Sequence, residues 1–149
     1  MDYRQNLVVE EERVAELIRS SRRVAVLGIK TEAQAGQPAF YVAEHLARAG
    51  VEVIPVPVYY PEVKEILGRP VHRRLADLPP PVDIVDVFRR PADIPQHLPD
   101  LLALRPRAVW FQLGIRHDEA ARTLAEAGLL VVQDRCLMVD WQRYGAGQR

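Results

Sequence analysis

Cysteine is nearly missing from this chain: Cys136 is the only one in 149 residues. A single thiol closes no internal disulfide and supplies no thiolate cluster, so neither a disulfide scaffold nor a metal site is expected. Excess charge is missing as well. Twenty Lys and Arg balance twenty Asp and Glu, which leaves no net field to gather nucleic acid or an anionic membrane surface. Neither is expected as a partner, and any bound anion must be held by a local site. No apolar run reaches the roughly eighteen residues that span a bilayer. The start, MDYRQNLVVEEERV, is polar and acidic, unlike a secretory signal, so the expected location is cytoplasmic. Internal repeats and low-complexity tracts are absent too.

What is present fits one globular unit. The length is that of an ordinary domain, and a hydrophobic fraction of 48% against 27% charged is enough for a sizeable core. The expected organisation is a single domain over 1–149, with an N-terminal helix at about 8–20 and a core at about 22–140. Of twelve prolines, seven cluster where apolar runs end, at Pro55, Pro57, Pro61, Pro79 to Pro81 and Pro91. Proline lacks the ladder donor, so these positions mark where strands give way to loops.

The periodicity gives alternating elements. VVEEERVAELIRSS sets Val14, Leu17 and Ile18 on one helical face. RRVAVLGI is a continuous apolar run, as expected of a strand covered on both faces. PAFYVAEHLARAG follows with helical spacing from Ala39 to Ala47, Pro38 in the first turn and Gly50 just past the end. VEVIPV is a second strand, GRPVHR a weaker one, and VDIVDVF a third clear one. ADIPQHLPDLLALRP reads as a helix that Pro99 should kink or interrupt. AVWFQLGI is a strand, DEAARTLAEAG a helix capped by Asp118 and closed by Gly128, LLVVQDR the last strand, and CLMVDWQRY a short terminal helix. Strands alternating with helices make right-handed crossovers and a mainly parallel sheet. The expected fold is α/β, a doubly wound, Rossmann-like domain.

In such sheets ligands sit beyond the carboxyl ends of the strands, where strand order reverses. Those ends are the loop after Gly28, the Val56-Pro57 segment, Phe88-Arg89-Arg90-Pro91 and Gln112-Leu113-Gly114. A helix starting near Pro38 would aim its unpaired N–H groups at the first loop, which makes an anion site. Lys30, Arg89 and Arg90 add positive charge there. The blander reading of the arginine pair is two solvated loop residues. A dinucleotide domain would want a tight G-x-G-x-x-G turn and an acidic residue after the second strand. This loop has only Gly28 and Gly36, and VEVIP is followed by Val56, Pro57, Val58 and two tyrosines. NAD is therefore not the expected ligand.

The series VAVLGI, QPAFYVAEHLARAGVEVIPV, EILGRPVHRRLADLPPPVDIVDVFRRP, VWFQLGI and VVQDRC resembles the small, stand-alone CoA-binding domain proteins. It is similar also to the CoA-binding domain of the succinyl-CoA synthetase alpha subunit. The resemblance implies coenzyme A or an acyl-CoA as ligand. It places the CoA phosphates at Gly28, Ile29, Lys30 and Pro38, and the adenosine portion between Val56, Pro57 and Phe88, Arg89, Arg90. TEAQAGQ is longer than the equivalent loop of many relatives and poorer in Ser, Thr and Gly. The synthetase's second domain, with its phosphorylated histidine, has no counterpart, and His45, His72, His97 and His117 do not match it. The implied protein binds without catalysis of its own, and no protein partner is identified. Two rivals stand beside that reading. One is a nucleotide-dependent enzyme on the same fold, with Trp110, Phe111 or Trp141 stacking on a ring rather than packing in the core. The other is thiol chemistry at Cys136, with Arg135 stabilising a thiolate rather than the sulfur merely packing.

Overall fold

The structure, a computed structural model, describes residues 2–145; the ends of the expected span, Met1 and residues 146–149, lie outside it. Five parallel strands form the sheet: β1 (Arg23–Leu27), β2 (Glu52–Val56), β5 (Ile84–Val87), β6 (Ala108–Phe111) and β7 (Leu130–Val132), in the order β2-β1-β5-β6-β7. The chain leaves β1 to one side to make β2, then returns across it to make β5. The reversal of strand order thus falls between β1 and β5, and the α/β, Rossmann-like architecture is as expected.

Strand alternation divides the core into two layers. Val24, Val26, Val53, Ile84, Trp110 and Val132 pack with Leu17 and Ile18 of α1 (Glu11–Arg19), Phe40 and Leu46 of α2 (Pro38–Arg48), and Leu137 and Trp141 of α5 (Leu137–Tyr144). Ala25, Ile54, Val85, Val87, Val109, Phe111 and Val131 pack on Leu101 of α3 (Leu98–Leu104) and Leu124 of α4 (Asp118–Glu126). Trp110 and Phe111 are fully buried and Trp141 nearly so, which makes them core residues.

Four details differ from the sequence expectations. The N-terminal helix is shorter than 8–20, because Leu7 bridges Val131 and the Val8 N–H donates to the Val131 carbonyl, laying residues 7–8 along β7. The weaker strand near GRPVHR is present as Arg69–Pro70 (β4), but it stands outside the five-stranded sheet and pairs antiparallel with Glu65–Ile66 (β3) in a small hairpin. Pro99 does not kink a long helix. Residues 91–93 and 95–97 are separate 3-10 turns, and α3 starts after them with Pro99 in its first turn, where a missing N–H costs nothing. Asp118 does not cap α4: the cap is His117, whose Nδ1 accepts the Ala120 N–H at 3.0 Å.

The hairpin covers the outer edge of β2. Arg69 donates to the carbonyls of Val53 (3.3 Å) and Val51 (3.4 Å), and the His72 N–H donates to the Pro55 carbonyl (2.9 Å). Pro55 stands in register with Val26 on the strand's outer bonding side, so its missing N–H removes no bond to β1. At the other end of the molecule, Arg135 bonds both oxygens of Asp140 and both of Glu11, which clasps α5 to the start of α1.

Among the described residues, one buried acid stands without a partner. Asp86 lies in β5 between Val26 and Trp110 of the neighbouring strands, is fully buried, and neither carboxyl oxygen has a hydrogen-bond partner. Burial alone pushes its carboxyl well above the ordinary range, so the fold favours the neutral acid. A folded-state value above the unfolded one means that folding takes up a proton. The stabilisation is complete below the unfolded value and declines as pH rises toward the folded one, by up to about 1.4 kcal/mol per pH unit. Urea unfolding across that range should therefore show wild-type stability falling relative to Asp86→Asn as pH rises from about 4. Parallel pH profiles for the two proteins would refute this account.

Candidate functional site

The turn after β1 is fixed by contact on both sides. The Gly28 N–H donates to Val56 O and the Phe88 N–H to Leu27 O, both at 2.9 Å. Gly28 has φ +85°, and a Cβ placed on it would stand 2.3 Å from the Phe88 carbonyl oxygen and 3.4 Å from Arg89 Cδ. Only glycine fits, because the conformation is left-handed and the neighbouring backbone occupies the side-chain position. Gly28, Val56, Phe88 and Arg89 are thereby brought together at the strand-order reversal.

From there the chain runs to α2. Ile29 is 1% exposed and packs in the core, so it offers the site only its backbone. The Lys30 N–H donates to Ala39 O at 3.0 Å, and its ammonium is bonded to the Gln37 side-chain oxygen. Gln37 is the residue preceding α2, no side chain caps that helix, and Pro38 occupies its first turn. A cation therefore sits over the positive end of an eleven-residue helix. The intervening TEAQAGQ segment is ordered without being rich in Gly or Ser. Thr31 and Gln34 form a reciprocal capping box around a 3-10 turn, and Glu32 accepts the Leu67 N–H at 2.8 Å. The T-x-x-Q spacing was the available signal for it.

The two arginines after β5 have different fates. Arg90 has an 83% exposed side chain and pairs with Asp93 at 3.1 Å. Arg89 is buried: its Nε donates to His97 Nε2 at 3.1 Å, its Nη2 lies 3.9 Å from Asp93, and its Cζ stands 5.9 Å from the centre of the Tyr59 ring. Burial, with Arg89 adding to it, holds His97 below its ordinary value of 6.5, opposed by Asp100 and Asp93. His97 and Tyr59 had no sequence signal, since each is joined to Arg89 only by the fold. At the end of β2 the wall is Val56 and Pro57, both buried, then Val58 and the exposed Tyr59. No carboxylate follows that strand until Glu62.

Cys136 is half-buried, stands just before α5 and packs against the core. The guanidinium of Arg135 is committed to Asp140 and Glu11. These contacts raise the arginine further and, with a bond from Tyr144, hold Glu11 down to about 2. Among the described residues no group of His, Cys, Asp and Glu could hold a metal ion, and no helix is long and apolar enough to cross a membrane.

Known proteins resemble this chain in sequence or fold. The Bacillus subtilis (strain 168) protein YneT, itself uncharacterised, is 32% identical over 126 residues, 85% of this chain and 90% of YneT. A solved protein from Thermus thermophilus, cell-free ID.343, is 41% identical with a TM-score of 0.82, over 91% of this chain and 99% of that one. The dinucleotide-forming acetyl-coenzyme A synthetase 1 of Ca. Korarchaeum cryptofilum, solved with phosphate and ADP, shares the fold. It matches at 16% identity and a TM-score of 0.64, over 78% of this chain and 27% of the synthetase. The profile of the CoA binding domain family matches residues 22–142, and the chain belongs to that family.

Proposed function

We propose that this protein binds coenzyme A or an acyl-CoA at the carboxyl ends of β1, β2 and β5, and performs no catalysis of its own. The observation that carries the reading is the placement of Lys30, whose ammonium is held on Gln37 at the uncapped start of α2. A fixed cation and the helix's positive end converge on one point, which suits a diphosphate. In this reading the phosphates lie over Gly28, Ile29, Lys30 and Pro38, with Ile29 contributing backbone only. The adenosine portion lies between Val56–Pro57 and Phe88–Arg90, where Tyr59 offers an aromatic face backed by Arg89. Membership of the CoA binding domain family supports the ligand class.

The rival enzyme readings lose support from the same geometry. Arg135 is occupied by two carboxylates, so the group invoked to stabilise a Cys136 thiolate is engaged elsewhere. His97 is bonded to Arg89 and His117 to the start of α4, so neither is free as a base for that sulfur. A nicotinamide dinucleotide would want a carboxylate directly after β2 for its ribose, and that wall is apolar and aromatic.

Four measurements test the reading. Lys30→Ala should weaken coenzyme A roughly tenfold in titration calorimetry, the loss of about one charge-assisted bond. Unchanged affinity would remove the α2 start from the site. In a competition assay, NADH at concentrations comparable to coenzyme A should fail to displace it; effective displacement would restore the oxidoreductase alternative. Cys136→Ser should leave coenzyme A affinity nearly unchanged and cost about 1–2 kcal/mol of stability, because the added hydroxyl prefers a partner. Alkylation of wild-type Cys136 by iodoacetamide should be slow at neutral pH, with little protection by coenzyme A. Fast labelling suppressed by the ligand would replace the binding-only reading with thiol chemistry.

A further inference from the structure

The bond between Arg89 and His97 constrains the state of the histidine. An arginine Nε always carries its hydrogen, so at 3.1 Å the His97 Nε2 can only be the acceptor. The ring is therefore neutral, with its proton on Nδ1. The Gln96 side-chain amide nitrogen, 3.4 Å from the same Nε2, is compatible with a second donor there. In the imidazolium form both ring nitrogens carry hydrogens. The acceptor vanishes, and two cations face each other across a half-buried contact.

The other charged groups around His97 do not reverse this. Asp93 and Asp100 favour the charged ring, but Asp93 is shared with Arg90 (3.1 Å) and Arg89 (3.9 Å), and Asp100 with Arg74 (3.2 Å). Arg89 itself disfavours the charge. Its remaining restraints are the Asp93 carboxylate at 3.9 Å, the edge of the Gly28 turn, 3.4 Å from the position a Cβ would take, and the Tyr59 ring at 5.9 Å. None is a hydrogen bond. The directional hold on the guanidinium is His97.

We propose that His97 is a positioning residue that makes ligand binding pH-dependent: its neutral ring orients Arg89 toward the ligand at the end of β5, and protonation of the ring frees Arg89 and weakens the ligand. This rests on the coenzyme A reading above, in which Arg89 flanks the adenosine portion. The direction is fixed by chemistry. Affinity is full where the ring is neutral and falls as pH drops through the ring's own titration, which lies below the ordinary histidine range.

The test compares wild type with His97→Gln, whose side-chain carbonyl keeps an acceptor that does not titrate, and with His97→Phe, which has none. Coenzyme A is titrated calorimetrically at about pH 7.5 and at about one pH unit below the midpoint of the ring's own NMR titration. Its own phosphate titrates too, so the quantity read is the ratio of wild-type to His97→Gln affinity. That ratio should be near one at the higher pH and about tenfold lower at the lower pH, while His97→Phe should be weaker at both. A ratio constant with pH, with coenzyme A bound throughout, would overturn the proposal. A ligand-free readout separates the premises: by NMR, the Arg89 Nε–H resonance should shift along the His97 ring titration curve in wild type and stay fixed in His97→Gln. An Arg89 resonance indifferent to the ring would also overturn the proposal. Coenzyme A failing to bind all three proteins at both pH values would instead overturn the ligand reading, and pH-dependent binding with it, even if the resonances move together.

Discussion

The rest of the site depends on the close approach of two backbones at Gly28. The strand ends of β1, β2 and β5 meet there through two hydrogen bonds and a contact that leaves no room for a side chain. A Cβ at that position would force the Phe88 carbonyl away, because an oxygen at 2.3 Å cannot be accommodated by rotamer change. Moving Phe88 would move Arg89, and with it the His97 bond and the relation to Tyr59. The same turn sets the path to Lys30 and hence where α2 begins. One glycine therefore positions a helix end, a lysine and a buried arginine relative to one another.

Charge in this molecule is distributed by partnership rather than by excess. The zero net charge conceals arginines with different local histories. Arg135 is saturated by Glu11 and Asp140 and works as a clasp between helices. Arg69 is spread over main-chain carbonyls. Arg90 keeps one carboxylate and remains mostly in water, where such a pair contributes little. Lys30, by contrast, is bonded to a neutral amide, so its charge is not neutralised by that partner. Arg89 has a distant carboxylate and a neutral ring. Identical residue types thus differ in what they can offer a ligand, and composition cannot distinguish them.

The large features were legible because they follow from periodicity. Continuous apolar runs separated by amphipathic segments identified the strands of the sheet, and Pro38 and Gly50 bounded α2 closely. The errors arose where local rules compete. The helical segment is interrupted, but ahead of Pro99 rather than at it, since a proline is equally suited to a first turn and the preceding 3-10 turns carry the same apolar residues. His117 displaced Asp118 as a cap by standing one residue earlier, with an acceptor nitrogen that can do what an Asp oxygen does. The strand read in GRPVHR is only two residues long, too short for any alternation to tell that it pairs in a separate hairpin. Asp86 was hidden by its apolar neighbours in VDIVDVF, and its unpaired burial is a property of the sheet. The contacts of Arg89 required knowing that residues 59, 89 and 97 converge.

The covering of β2 has a consequence for how this unit associates with others. An exposed edge strand is a template on which another chain can lay a strand, the usual route to sheet-mediated dimers and fibrils. Here Val51, Val53 and Pro55 already have their carbonyls occupied by the hairpin segment, and Pro55 has no donor to give. Residues 7–8 lie along the opposite edge at β7. Both edges are covered in part by segments of the same chain, which leaves less free backbone for strand addition at either side. A sheet shielded in this way is less prone to join its neighbours' sheets at high concentration.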